Sequence, residues 1–388
     1  MEAVSLDSLW KCMLTSSNQV IRDYQSQCFQ RKRSLDCLSV VLLIFRLVFS
    51  KNSQGYGTTI LEFWDKARSC IPRLRGVNPV SSSTFCDART KLDEVIFQKL
   101  NSQFISEHEK AYPAEHLWLG HRLFCVDGTK VNLPRELLES GYKLPNATSH
   151  YPFGLVSCLY QVKSKIPYDF ELTNHLNERA CAHNHLRKLN QDDVVLYDRG
   201  YLSYALLEDH DRSGIHAVFR LQDVNTFKAI EDFVKSSSRD IIVEICPTQK
   251  SAEKIRADNP GIEIRPIQLR LIKYKYEDTE YYIGTTLLDK KRYPKKLFPD
   301  LYHSRWGIEE LYKISKKMID VEDFHGRSER KVKQEIYAHF LLITIGRVFA
   351  NDAESKLKAE KSKSLPKKNN YYSAPAHQFQ SLFGSYCT

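Results

Sequence analysis

Two short apolar runs, each closing on an aspartate, constrain this chain more than any other feature. HRLFCVD ends at Asp127 and VVLYD ends at Asp198, and each acid is followed within two residues by a glycine, Gly128 and Gly200. A run of four or five such residues has the length and composition of a buried strand. An ionised carboxylate at the end of a buried strand costs several kcal/mol unless a cation compensates it. That cation is either a fixed basic side chain or a bound metal. For either aspartate alone, the plain alternative is a turn residue at a strand end.

The surrounding segments place both runs in one layer. A turn at Gly128–Thr129 and a short strand around Val131 and Leu133 follow the first run. Residues 155–162 and 166–172 read as strands joined by a hairpin turn at 163–165. Residues 177–189 read as a helix, a second helix starts at Ser203, and 216–221 is another strand. Alternating strands and helices argue an α/β fold on a central sheet, with residues 116–221 as its first part. Residues 222–290 break the rhythm with strands at 241–245, 264–276 and 280–288, a β-rich insertion; IRPIQLRLIKYKY alternates as a half-buried antiparallel strand does. Residues 291–350 return to the core and close on an apolar helix at 335–349.

The two ends are different. Residues 1–115 form an all-α N-terminal domain, with a buried helix at 35–49 and a helix at 81–100 opened by a Ser/Thr cluster. Between them lies the basic loop IPRLRGVNPV. Helix, basic loop, helix is compatible with a DNA reader and equally with any small helical bundle. Residues 351–388 form a basic tail, with six Lys between Lys356 and Lys368, that reads as solvated.

A third acid lies in YHSRWGIEELYKISK, residues 302–316, which reads as one helix. With ~100° per residue and Tyr302 at zero, Arg305, Glu309 and Lys316 fall at roughly 300°, 340° and 320°. A carboxylate, two cations and a phenol thus share one stripe, which suits a site that binds phosphate and metal together. The plain reading is a solvated face laced by i,i+4 pairs. Mg²⁺ takes oxygen ligands, so Asp127 and Asp198 with Glu309 would hold two Mg²⁺.

Composition narrows the class. A net charge of +10 leans toward a polyanionic partner. The ten Cys contain no CxxC pair, which argues against a zinc site or disulfide framework and fits a reducing cytoplasm. Cys181, His183 and His185 stand at i,i+2 steps, which point to different faces of a helix. The start shows no signal-peptide pattern, and the longest apolar run, Val40 to Phe45, is too short to span a bilayer. The expectation is a cytoplasmic protein with no membrane partner.

The segments CVDGTKVNLP, LYDRGY and TTLLDKKRYPKKLFPDLYHSRWGIEELYKISKKM resemble the DDE transposases of bacterial insertion sequences. The likeness is to the insertion-sequence-four family, marked by Tyr-x2-Arg-x3-Glu-x6-Lys, met here by Tyr302, Arg305, Glu309 and Lys316. It runs from Ser81 to Arg347 and takes in NERA before the second aspartate and QEIYAHFLL after the glutamate. The resemblance implies a ribonuclease-H-like core with the insertion before the glutamate. It implies a catalytic triad of Asp127, Asp198 and Glu309 holding two Mg²⁺, with Mn²⁺ as a substitute. Tyr302, Arg305 and Lys316, with Trp306 among them, would contact the transposon end. It further implies cut-and-paste transposition on double-stranded terminal inverted repeats and target DNA, through a hairpin, in a synaptic homodimer. The hairpin route is associated with a Trp in the insertion that stacks on a flipped base. Here the Trp after residue 118 is Trp306, and Tyr276, Tyr281 and Tyr282 stand as substitutes. The rival readings are a metal-dependent nuclease on the same fold and a catalytically inactive DNA-binding remnant; the intact acids argue against the latter.

Overall fold

The apolar runs assemble side by side into one sheet. The computed structural model describes residues 6–361, apart from 32–33, 50–54, 72–73, 114, 223–226, 259, 277 and 319–323. Five helices come first: α1 (Leu6–Cys28), α2 (Cys37–Phe49), α3 (Tyr56–Cys70), α4 (Ser82–Lys91) and α5 (Val95–Ala111). The single helix expected over 81–100 is therefore two. Asp93 Oδ1 accepts the Val95 N–H at 2.9 Å, and this acceptor starts the second helix where the first has ended. The basic loop between α3 and α4 lies partly outside the described residues.

Strands β1 (Leu117–Trp118), β2 (His121–Asn132), β3 (Phe153–Gln161) and β4 (Ile166–Thr173) follow. Helix α6 (Glu178–Leu186) leads to β5 (Val194–Tyr197), and α7 (Tyr204–Ser213) leads to β6 (His216–Arg220). After them come α8 (Lys228–Lys235), β7 (Asp240–Ile245), α9 (Gln249–Asp258), β8 (Ile267–Tyr276) and β9 (Thr279–Thr285). The sheet order is β4-β3-β2-β5-β6-β9-β8-β7, with β1 pairing β2. β2, β3 and β4 are antiparallel to one another, while β5 and β6 run parallel to β2 and to each other. This is the ribonuclease-H-like core.

One expectation is corrected here. Gly128–Thr129 is not a turn: β2 runs straight through, because Phe124–Asn132 stay paired to β3, Asp127 opposite Cys158. Pairing to β5, however, stops at Cys125. Asp127 therefore stands mid-strand, just past the point where the sheet opens between β2 and β5. The strands of the β-rich segment are present, and they continue the central sheet. β9 pairs antiparallel with β6, Val218 opposite Thr285, and extends the central sheet.

Alternation along β2 sends Phe124 and Val126 toward α6 and α7, and Leu123 and Cys125 toward the opposite face. That opposite face is covered by α2, α5, α10 (Phe298–His303), α11 (Trp306–Met318) and α12 (Glu329–Lys361), around Ile44, Phe97, Phe170, Ile308 and Phe340. One apolar cluster thus joins the N-terminal helices to the sheet. Helix α12 exceeds the expected 335–349 and carries the chain past 351, where Asn351 and Asp352 are buried. Asn351 Nδ2 donates to the Ser164 carbonyl at 2.9 Å, so the first residues read as a solvated tail are packed against the β3–β4 turn. Residues 362–388 lie outside the described residues. α4 and α12 are joined by a buried polar link: Arg89 donates to Glu335 Oε1 at 2.8 Å and to Gln334 Oε1 at 3.1 Å. No helix among the described residues is long and apolar enough to cross a membrane.

Candidate active site

The stretch expected as one helix over 302–316 is broken after His303. Ser304 Oγ donates to the Leu301 carbonyl at 2.6 Å, and the Arg305 N–H turns back to the Tyr302 carbonyl at 3.0 Å. Trp306 then begins α11. The break changes the ideal-helix angles but keeps the stripe together, because both short helices lie against the opening beside β2. α11 comes unusually close to the sheet. A Cβ on Gly307 would meet Tyr160 Cε1 of β3 at 3.1 Å, so glycine is the residue that permits the approach.

The three acids meet at one guanidinium. Arg305 Nη2 donates to Glu309 Oε1 at 2.6 Å and lies 4.0 Å from Asp198 Oδ2; Nη1 lies 3.5 Å from Asp127 Oδ2. Residues separated by 198 − 127 = 71 and 309 − 198 = 111 positions are thus brought within reach of a single cation. Tyr302 donates its hydroxyl to Asp198 Oδ1 at 3.0 Å. Tyr312, which no sequence motif had singled out, donates to the Asp127 backbone carbonyl at 2.6 Å. Its signal was faint: three residues after Glu309, it reads simply as part of the apolar stripe.

The electrostatics differ from acid to acid. Burial pushes the Asp127 carboxyl up, Arg305 and the Gly128 N–H pull it down, and Glu178 and Asp198 raise it again; the balance is a pKa of about 6. Burial also works against Asp198, but the Arg199 N–H, Arg305 and the Tyr302 hydroxyl outweigh it and hold its pKa below the ordinary carboxylate value. For Arg305, burial disfavours the charge, and Tyr302, Asp198 and Asp127 more than restore it. The Arg305 side chain is 4% exposed, against 40% for Asp198 and 44% for Glu309. The cation is therefore an internal one, while two of the acids face solvent.

Among the described residues no three His, Cys, Asp or Glu side chains form a ready-made metal cage, because Arg305 stands between the carboxylates. The residues nevertheless fit a hard divalent cation. All three donors are carboxylates. One guanidinium does not fully compensate them, as the raised Asp127 pKa records. The Arg305 Nε is itself buried without a hydrogen-bond partner among the described residues.

Other expected residues separate. Lys316 lies on α11, and its side chain is outside the described residues. Trp306 is 51% exposed, with the His303 ring 4.4 Å away and Tyr276 6.2 Å beyond that. Tyr276 and Tyr281 rings are 6.4 Å apart, and the Arg220 guanidinium lies 4.9 Å over Tyr281. Tyr282 alternates to the other face of β9, with Lys273 over its ring. Of the three candidate tyrosines, Tyr276 and Tyr281 are the ones on the row leading to Trp306. The His/Cys group on α6 diverges as expected: His183 pairs with Asp209, whereas His185 bridges Asp169 at 2.9 Å and Ser157 at 3.0 Å inside the core.

An acid on β2, one just past the end of β5 and one on α11, gathered beside the opening of a ribonuclease-H-like sheet, form the arrangement expected of a DDE enzyme. The family described as "Transposase DDE domain" matches residues 118–345, more than half of the chain, and the chain belongs to that family. Over 281 residues it is 24% identical to the transposase InsG for insertion sequence element IS4 of Escherichia coli (strain K12). That alignment takes in 69% of this chain and 61% of the relative, so the chain matches about three fifths of that protein's length. Among solved structures, it is similar to a piggyBac transposase synaptic complex with hairpin DNA. The TM-score is 0.46 and the identity 11%, covering 98% of this chain and 80% of that one.

Proposed function

We propose that the protein is a transposase that cuts and joins DNA at the ends of an insertion sequence. The observation that carries this reading is the convergence of Asp127, Asp198 and Glu309 on Arg305. Two bound Mg²⁺ ions, or Mn²⁺ in their place, would activate the attacking oxygen and stabilise the leaving one at phosphorus. Asp127, Asp198 and Glu309 would hold them. Tyr302 fixes the orientation of Asp198 through its hydroxyl, and Tyr312 fixes the β2 backbone at Asp127. Arg305 serves first as counter-ion to the three acids. With a metal carrying that charge, its fork would be available to a phosphate oxygen, with Lys316 further along the same helix.

The partners follow from this reading: double-stranded terminal inverted repeats, target DNA, and a second copy in a synaptic homodimer. A hairpin intermediate fits the aromatic row of Trp306, His303, Tyr276 and Tyr281, which offers flat faces to an unstacked base. The division of labour is a helical N-terminal region 1–115 on DNA, a core of 116–221 and 291–350, the insertion 222–290 and the basic tail 351–388.

The test is a duplex ending in the terminal repeat, incubated in Mg²⁺ with wild type and Glu309→Gln. Wild type should nick, form a hairpin and join a target plasmid; Glu309→Gln should bind the duplex normally and do none of these. Cleavage by wild type without joining would leave the nuclease reading instead. Cleavage by Glu309→Gln at the wild-type rate would remove Glu309 from the site.

A further inference from the structure

Glu178, in the NERA segment, sits against both acid-bearing segments at once. It opens α6, whose first turn is capped by Asn177: its Oδ1 accepts the Ala180 N–H at 3.2 Å. The next residue, Arg179, donates Nε to the Gly200 carbonyl at 2.7 Å, which pins this turn to the one that follows Asp198. On its other side the turn leans on Gly128, the residue after Asp127. A Cβ there would lie 3.1 Å from Glu178 Cγ and 3.3 Å from Cδ. Glu309 therefore reaches the site from the α11 face of the sheet, and Glu178 reaches the same edge from the α6 face.

A second observation points the same way. Tyr201 is 2% exposed, and its buried hydroxyl closes no well-formed hydrogen bond among the described residues. The carboxylates near enough to act on it electrostatically are Glu178 and Asp127. A carboxylate placed beside a buried aspartate is unfavourable in the absence of a cation, because like charges disfavour ionisation. A hydrated divalent cation reverses that balance. Mg²⁺ and Mn²⁺ in such sites keep several waters, and those waters need acceptors.

We infer that Glu178 is a fourth acid of the centre, accepting hydrogen bonds from the waters of the cation held at Asp127, with Tyr201 fixing its carboxylate. The inference rests on the metal-dependent reading proposed above. It makes Glu178 a positioning residue for the cation's water shell, with no contact to DNA required.

The experiment is a Mn²⁺ titration of the full-length, DNA-free protein, read by electron paramagnetic resonance of free Mn²⁺. Circular dichroism and a thermal melt check that each variant is folded. Glu178→Gln should weaken Mn²⁺ binding by ~10-fold or more, the loss typical of an outer-shell partner. Glu178→Asp should recover part of it. Asp127→Asn and Asp198→Asn should lose the site. Wild-type Mn²⁺ affinity in Glu178→Gln, with binding lost in Asp127→Asn, overturns this inference and leaves the transposase reading standing. Wild-type affinity in all of these variants overturns both. Should Glu178→Gln not fold, Tyr201→Phe carries the test, since wild-type Mn²⁺ binding by that folded variant overturns the inference equally.

Discussion

Asparagine at position 127 should make the metal-free protein more stable, although it removes a proposed metal ligand. The carboxyl of Asp127 titrates at about 6 against an ordinary 3.8, chiefly because it is buried. Its side chain is 22% exposed, so little solvent screening intervenes. A folded-state pKa above the unfolded value means that the folded protein binds the proton more tightly. Stability then falls as pH rises from 3.8 to 6, and the penalty is complete above that window. The difference, 6 − 3.8, corresponds at 1.36 kcal/mol per unit to about 3 kcal/mol. Asparagine mimics the protonated form and avoids this cost. With ~2.1 cal/mol/K of unfolding entropy per residue, 388 residues turn 3 kcal/mol into a rise of about 4 °C. The assay is a thermal melt of wild type and Asp127→Asn in a chelator from pH 4 to 8. The gap should open as pH rises and close toward pH 4. Asp198 should do the opposite. Its pKa is lowered, so its ionised form adds stability that is present above the unfolded pKa and lost as pH falls through the folded one. Asp198→Asn should therefore melt below wild type at neutral pH. A lower melting point for Asp127→Asn at pH 8, or a gap that does not change with pH, would refute the reasoning.

Three further outcomes are expected. Arg305→Ala, which leaves three carboxylates without their cation, should melt lower than wild type in a chelator and be partly restored by Mg²⁺; its binding to end DNA should lose ~1 from the log–log salt slope, a change Glu309→Gln should not show. Tyr312→Phe should cost about 1 kcal/mol in denaturant unfolding by losing the bond to the Asp127 carbonyl. Arg89→Ala should cost ~3–5 kcal/mol by stranding the buried Glu335 carboxylate, whereas Arg89→Met with Glu335→Leu should recover most of that loss.

Much of the site could be read from the chain because its chemistry is carried by residue type and spacing. Burying an acid at the end of an apolar run is costly enough to flag Asp127 and Asp198, and Tyr302, Arg305 and Glu309 share a stripe even though the helix breaks at Ser304. What could not be read depends on three-dimensional pairing. The continuation of β2 beyond Gly128 is decided by β3, which begins 153 − 128 = 25 residues after that glycine. The joining of the insertion to the central sheet is decided by β6 meeting β9, a register that no local pattern encodes. The break between α4 and α5 is held by the Asp93 side chain at the start of α5 and by Gln334 of α12, whose amide donates to the Arg89 and Leu92 carbonyls at the end of α4. Arg305 as the internal cation was open in principle, since a fixed base and a metal were the two ways to compensate the acids. Only the fold decides which of them is present when no metal is bound.

The buried link between Arg89 and Glu335 has a consequence for how the protein comes into being. The two residues are 246 positions apart. At ~5–20 residues per second, a ribosome needs roughly 12–50 s to add the stretch between them. Throughout that interval the N-terminal helices hold a guanidinium that cannot be buried with its acid, and the apolar face meant for α12 is still uncovered. A message truncated before codon 335 yields a product that never passes this stage.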